Sequence, residues 1–411
     1  MKVQQKKQSK ALTKIEGGSI TSVKGFKAAG VHSGLKRKRL DLGAITCAVP
    51  ASAAGVFTLN QIQAAPLQVT KESLASGGKI QAVLVNSANA NACTGKQGRA
   101  DAYEMRTLAA KQFDIPEHQV AVTSTGVIGE MLKMAHIREG VTHLVPNEEG
   151  DQSFAEAILT TDTTTKHVCL QTEVDQQTIT IGGVAKGSGM IHPNMATMLG
   201  FVTTDAAIEP DVLQQALSSI TNETFNRITV DGDTSTNDMV LVLASGLAGN
   251  ETLTPEHPDW ENFYEGLRAC CEELSKKIAR DGEGATKLIE VRVQGAYDNE
   301  EAGKIAKQIV GSDLVKTAVY GTDANWGRII CAIGYSGCHI NPETIDIAIG
   351  PYATLTQSEP TGASDEALSR FMQQEETIVI DVDLHLGSGE GKAWGCDLTY
   401  DYVRINAGYR T

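Results

Sequence analysis

Along most of this chain the apolar positions fall in short runs of strand length, separated by glycine, proline, asparagine and aspartate. The spacing predicts strands over Ile80 to Val85, Val120 to Val122, Thr178 to Ile181, Phe201 to Thr203 and Leu288 to Val293. One stretch keeps a different period. After Pro258, the residues Trp260, Phe263, Tyr264, Leu267, Cys271, Leu274 and Ile278 recur three or four positions apart, which predicts a helix with one apolar face that Gly282 can end. Strands come in clusters with helices between the clusters. That order favours an α+β fold of layered sheets covered by helices over a strictly alternating doubly wound one. The polar, proline-bearing stretches from Asn250 to Asp259 and from Gly350 to Ser364 read as surface loops.

Composition narrows the partners. Hydrophobic residues make up 41% of 411 residues, enough for a large core, and no apolar run approaches the ~20 residues of a spanning helix. Lys and Arg number 36 against 50 Asp and Glu, and a net charge of −14 speaks against nucleic acid or a membrane surface and for small molecules. In that setting Lys36-Arg37-Lys38-Arg39 reads as a solvated loop. The eight cysteines include no CxxC pair, so neither a zinc site nor a disulfide framework is expected. Residues 1–15, with Lys2, Lys6, Lys7, Lys10 and Lys14 among polar neighbours, read as a basic flexible leader lacking the apolar stretch of a secretory signal. The expected location is the cytoplasm.

Glycine-rich segments first suggest phosphate binding. Gly387 to Lys392 departs from the P-loop spacing, because Ala393 follows the lysine and Leu386 stands where the first glycine belongs, and Gly187-Ser188-Gly189 does not fit it either. Asp231, Asp233 and Asp238 lack calcium-loop spacing and have no histidine beside them, so they read as turn and capping residues and no metal is expected. His192, a lone histidine beside Pro193, reads as structural. The informative segment runs from Lys186 to Leu199, where glycines and a proline lead through small residues to Ala196-Thr197 and then to a strand. A threonine hydroxyl needs a base to act as a nucleophile, and one source is its own α-amine, freed by cutting the preceding peptide bond. That amine titrates near pH 8, so a useful fraction is neutral at physiological pH.

The stretch GMIHPNMATMLGFVTTDA resembles the self-cleaving segment of the ornithine acetyltransferase family, also called the glutamate N-acetyltransferases. The resemblance continues in GFKAAGVHSGLK, NSANANACTGKQG, TSTGVIGE, ILTTDT, ITVDGDTSTND, RDGEGATK, DANWGRI and the ending AWGCDLTYDYVRINAGYRT, so it covers nearly the whole chain. It implies a layered αββα-type sandwich with an N-terminal-nucleophile-like centre after self-cleavage. Cleavage between Ala196 and Thr197 would give an α chain, 16–196 after the leader, and a β chain, 197–411, packed together rather than as independent domains. Thr197 is then the nucleophile and its amine the general base. Acetyl passes from N-acetylornithine to Thr197 and on to glutamate, a ping-pong transfer that needs no cofactor and no metal.

The same resemblance assigns Thr125 and Gly126 to an oxyanion hole, which the sequence places in a turn after the strand Val120 to Val122. It assigns Lys186 and Thr160 to substrate binding, with Thr161 and Thr163 close enough to compete with Thr160. Glu283, from the turn Gly282-Glu283-Gly284, would hold the distal ammonium of ornithine, and Asn406 and Thr411 would add contacts from a C-terminus whose aromatic, apolar ending suggests a packed tail. Acetyl-CoA enters as an additional acetyl donor if the chain is bifunctional, and an α2β2 heterotetramer is the expected assembly. Two other readings stay open: an N-terminal-nucleophile amidase or aminopeptidase that passes the acyl group to water, and an uncleaved ligand-binding protein.

Overall fold

Each predicted strand is the core of a longer one in the computed structural model, which describes residues 12–192 and 198–408. They are Lys79–Asn89, Val120–Val127, Gln177–Lys186, Leu199–Thr204 and Leu288–Ala296. The longest strand, Leu42–Phe57, is built largely from alanine, glycine and valine and carries little periodic signal. Its first half pairs with Phe26–Val31 and its second half with Met239–Ala244. Against Lys79–Asn89 its register shifts between Thr46 and Ala51. Pro50, with no N–H to give to a ladder, lies inside that break.

This long strand belongs to a nine-stranded sheet that packs as two layers. Strand side chains alternate between faces, so each layer has an inner and an outer set. Leu199, Phe201, Met239 and Leu241 face inward to meet Phe26, Ile45, Val83 and Ala121 of the other layer. The residues between them, such as Val202, Val240 and Val242, face outward onto Pro210–Glu223 and Trp260–Arg280. On the opposite outside, Leu42, Leu84 and Val122 meet Ala65–Ala75, Gly95–Phe113 and Met134–Thr142. The order of layers is helix, sheet, sheet, helix, the expected αββα sandwich. The predicted helix is Trp260–Arg280, with Phe263, Leu267, Cys271, Leu274 and Ile278 fully buried. Among the described residues no helix is long and apolar enough to cross a membrane.

A second, seven-stranded sheet is centred on Leu288–Ala296 and Thr377–Asp383. The helices Asn299–Val310, Asp313–Tyr320, Trp326–Gly334 and Asp365–Gln374 cover it. Helix Trp260–Arg280 touches both sheets, and Leu288, Trp394 and Cys396 of the second share its core.

Two expectations need correction. Gly350 to Ser364 is not a plain loop but holds the hairpin Tyr352–Thr356 and Glu359–Pro360. Both turn residues, Gln357 and Ser358, have positive φ, which the sequence conceals because asparagine and glycine usually mark such a turn. Within the expected leader, Thr13–Lys14 pair with Gln171 and Leu170 at the edge of the first sheet, so residues 13 and 14 belong to the fold. Residues 1–11 lie outside the described residues.

Candidate active site

Strands Gln177–Lys186 and Leu199–Thr204 are antiparallel neighbours, with Lys186 opposite Leu199. The segment carrying Ala196 and Thr197 is therefore the connection between two adjacent strands. Ala196 and Thr197 lie outside the described residues, but Ile191 before them and Met198 after them both line one cavity of about 220 Å³. The Met198 carbonyl is fixed by the Met239 N–H at 2.9 Å. The same cavity is lined by Thr125, Gly126, Thr160, Lys186, Glu283 and Asn406, residues as far as 281 positions apart in sequence. The remaining candidate, Thr411, lies outside the described residues.

Thr125 and Gly126 do not sit in a turn beyond the strand. The strand runs on to Val127, and the two pair in parallel with Ser87 and Ala88. Polar residues after Val122 hide this continuation from a periodicity reading. Backbone strain is concentrated at the same place: Gly126 has φ +130°, Ala88 φ +122°, and Asn91 and Cys93 also lie in the left-handed region. Asn237 holds the corner together, its amide donating to the carbonyls of Ala90 and Ser124 at 2.5 and 2.8 Å.

Lys186 is buried, and its Nζ donates to Thr160 Oγ1 at 2.8 Å and reaches Thr125 Oγ1 at 3.5 Å. Thr161 also lines the cavity, whereas Thr163 turns its hydroxyl away to Asp281. Behind Lys186 lies a group of charges that sequence reasoning missed. The Asp162 carboxylate accepts from the Gly187 and Thr160 N–H groups and from Lys166 Nζ, and lies 3.7 Å from Lys186. Lys166 in turn donates to Asp281 at 2.6 Å. Burial would raise the Asp162 carboxyl, but Lys186 and Lys166 hold it well below the usual carboxylate range. Gly187, considered as part of a phosphate loop, instead gives its N–H to a carboxylate. The i,i+4 spacing of Asp162 and Lys166 was the available signal; Asp281, 115 residues further on, left none.

Glu283 lines the same cavity as Lys186, from a turn whose Glu283 N–H donates to the Ser188 carbonyl. A Cβ on Gly189 would stand 2.4 Å from the Glu283 carboxylate, so a side chain there would push that carboxylate from its place. Asn406 Nδ2 donates to Glu283 Oε2 at 2.7 Å. That amide comes from the helix Tyr400–Gly408, which is less packed than its sequence suggests. The helix has no buried residue, and Tyr400 and Val403 are largely exposed. One side alone, with Tyr402 and Asn406, reaches the cavity, and the apolar residues on the other side misled the reading.

Of the three aspartates read as turn residues, Asp231 does accept from the Asp233 N–H, and it also accepts from the Met190 and Ile191 N–H groups at 2.7 and 2.9 Å. All three line the cavity. Asp238 is buried, its Oδ2 has no hydrogen-bond partner among the described residues, and burial pushes its carboxyl well above the ordinary range. His192 bonds Thr229 through Nδ1 and is pulled down to about 4 by burial, so it is neutral at pH 7. Among the described residues the trio close enough to hold a metal is Asp175, Glu251 and His257, and none of the three lines the cavity.

The run Lys36-Arg37-Lys38-Arg39 is not simply a solvated loop. Lys36 Nζ donates to the Leu159 and Leu40 carbonyls, and Arg39 donates to the Thr160 carbonyl. Burial, and then Arg39, bring Lys36 down to about 8.

The model of the ArgJ family matches residues 27–411. The arginine biosynthesis bifunctional protein ArgJ of Halalkalibacterium halodurans is 69% identical over 400 residues, 97% of each chain. That of Shouchella clausii is 72% identical over 395 residues, 96% of each chain. A crystal structure of arginine biosynthesis bifunctional protein ArgJ from Bacillus halodurans, 74% identical, aligns with a TM-score of 0.51 over 52% of this chain and 100% of that one. With a family model spanning nearly all of its length and relatives this similar along theirs, the chain belongs to the ArgJ family.

Proposed function

We propose that this chain transfers acetyl from N-acetylornithine to the α-amine of glutamate through an acetyl-Thr197 ester, giving ornithine and N-acetylglutamate. The observation that carries the reading is the convergence of Thr125, Gly126, Thr160, Lys186, Glu283 and Asn406 on one cavity bordered on both sides of the Ala196-Thr197 segment. Thr197 Oγ attacks the acetyl carbonyl while its amine takes the hydroxyl proton; the C–N bond breaks and the proton leaves on the ornithine amine. Thr125 and Gly126 stabilise the oxyanion. Glutamate's amine then attacks the ester and Thr197 is regenerated. Lys186 pairs with the α-carboxylate common to both substrates, and a cavity of about 220 Å³ suits ligands of amino-acid size. Acetyl-CoA serves as a second donor, a reading supported by the word bifunctional in the names of the relatives. Self-cleavage before Thr197 produces the active form, an α2β2 assembly in the cytoplasm with Thr411 contributing from the chain end.

Incubating the protein with N-acetylornithine, with and without glutamate, tests this. Ornithine release should be confined to a single stoichiometric burst without glutamate and become continuous with it. Continuous release without glutamate would make water the acceptor and the protein a hydrolase.

Glu283 supplies a sharper test, because its carboxylate suits the distal ammonium of ornithine and opposes the distal carboxylate of glutamate. Glu283→Gln should raise KM for N-acetylornithine by roughly ten- to a hundredfold, the loss of one hydrogen bond to a charged partner. KM for glutamate should stay level or fall. Equal rises for both substrates would move the ammonium site elsewhere.

A further inference from the structure

A chain with net charge −14 carries four consecutive cations in Lys36-Arg37-Lys38-Arg39. Arg37, Lys38 and Arg39 are exposed, and none has an acidic partner within ion-pair distance among the described residues. Adjacent like charges repel, and in an acidic protein carboxylates were available to quench them. The loop is also built rather than loose. Buried Asp41 accepts from the Ser33 N–H and hydroxyl at 2.7 and 2.8 Å and from the Lys36 N–H at 2.8 Å. Lys36 ties it to the Leu159 carbonyl at 2.6 Å and Arg39 ties it to the Thr160 carbonyl at 2.9 Å. Thr160 lines the catalytic cavity and accepts from Lys186. The loop that carries the cations is thus tied, through Arg39, to a residue of the cavity wall.

The cavity measures about 220 Å³, below the ~300–1,000 Å³ of pockets that enclose cofactor-sized ligands. A coenzyme A thioester can place only its acyl end inside. Its nucleotide and phosphates must rest on the surface, where an acidic protein repels them except over a local group of cations.

We propose that the Lys36–Arg39 loop is the docking surface for the phosphates of acetyl-CoA, positioning the thioester for attack in the cavity. The proposal rests on acetyl-CoA being the second donor. In the step it serves, Thr197 Oγ attacks the thioester carbonyl and the C–S bond breaks. The hydroxyl proton passes through the Thr197 amine to the thiolate, giving acetyl-Thr197 and free coenzyme A, and glutamate then takes the acetyl group as before.

The test compares the wild-type enzyme with the double variant Arg37→Gln/Lys38→Gln, which leaves the tethers Lys36 and Arg39 in place. KM for acetyl-CoA should rise roughly tenfold at low salt. The wild-type value should climb with added sodium chloride toward that of the variant. KM and kcat for N-acetylornithine and glutamate should be unchanged, which also reports that the variant is folded and cleaved. S-acetylpantetheine, which lacks the nucleotide and phosphates, should react equally well with both proteins. Lys111→Gln/Arg370→Gln, an equal charge change at exposed positions away from the cavity, should leave KM for acetyl-CoA alone. An unchanged KM for acetyl-CoA in the loop variant would overturn the assignment, as would an equal rise with S-acetylpantetheine or in the control variant. A wild-type enzyme that exchanges acetyl between N-acetylornithine and glutamate but ignores acetyl-CoA would remove the second donor and this site with it, while leaving the exchange reaction standing.

Discussion

Thr197→Ala should remain a single 43.7 kDa chain and show no acetyl transfer from either donor. Wild-type protein should instead run as two bands, each about half of that mass. Alanine has no hydroxyl to attack the Ala196 carbonyl, so the peptide bond before residue 197 persists. Without cleavage there is neither a free α-amine to act as base nor an oxygen to carry acetyl. On the proposed mechanism one change removes nucleophile, base and maturation together, and the expected loss is complete. Thr197 lies outside the described residues; Ile191 before it and Met198 after it both line the cavity, and the Met198 carbonyl accepts from the Met239 N–H. Thr197→Ser keeps an oxygen at the same place and should cleave, if more slowly, and retain measurable transfer. A Thr197→Ala protein that is cut, or that acetylates glutamate uncut, would displace the nucleophile from this residue.

The parts of the fold visible in the sequence are those whose burial is apolar. Leu199 and Phe201 face one core while Met198 and Val202 face another, so this segment reads as a short continuous apolar run. The face of Trp260–Arg280 is equally plain. Leu42–Phe57 escaped because its small side chains are mostly buried on both faces, with little contrast in hydrophobicity between them. The strand end at Thr125 and Gly126 escaped because the residues that carry the strand past Val122, Thr123, Ser124 and Thr125, are buried yet polar. The candidate residues themselves came from resemblance, and bare propensities would have passed over them. Behind them, Asp162 and Lys166 are only four residues apart, but Lys166 meets Asp281 across 115 residues, and only the folded chain brings that third charge within bonding distance.

Gly126→Ala should cost both stability and catalysis, by different routes. A Cβ built on Gly126 would stand 2.2 Å from the carbonyl carbon and oxygen of Ala88, backbone atoms of the paired strand that cannot rotate away. The φ of +130° is itself strained for any L side chain, at about 1–3 kcal/mol. The strands Lys79–Asn89 and Val120–Val127 must then separate at their ends, where Thr125 and Gly126 line the cavity. The melting temperature should fall, and kcat should drop by roughly a hundredfold or more, the range expected when an oxyanion donor is lost or misplaced. Self-cleavage passes through the same kind of tetrahedral state and should slow in parallel. Thr125→Ala separates the two routes, because it removes a hydroxyl without forcing the strands apart: kcat should fall with little change in melting temperature. If Gly126→Ala were destabilised yet, once cleaved, turned over at the wild-type rate, the glycine would serve only strand packing and the oxyanion would have to be held elsewhere.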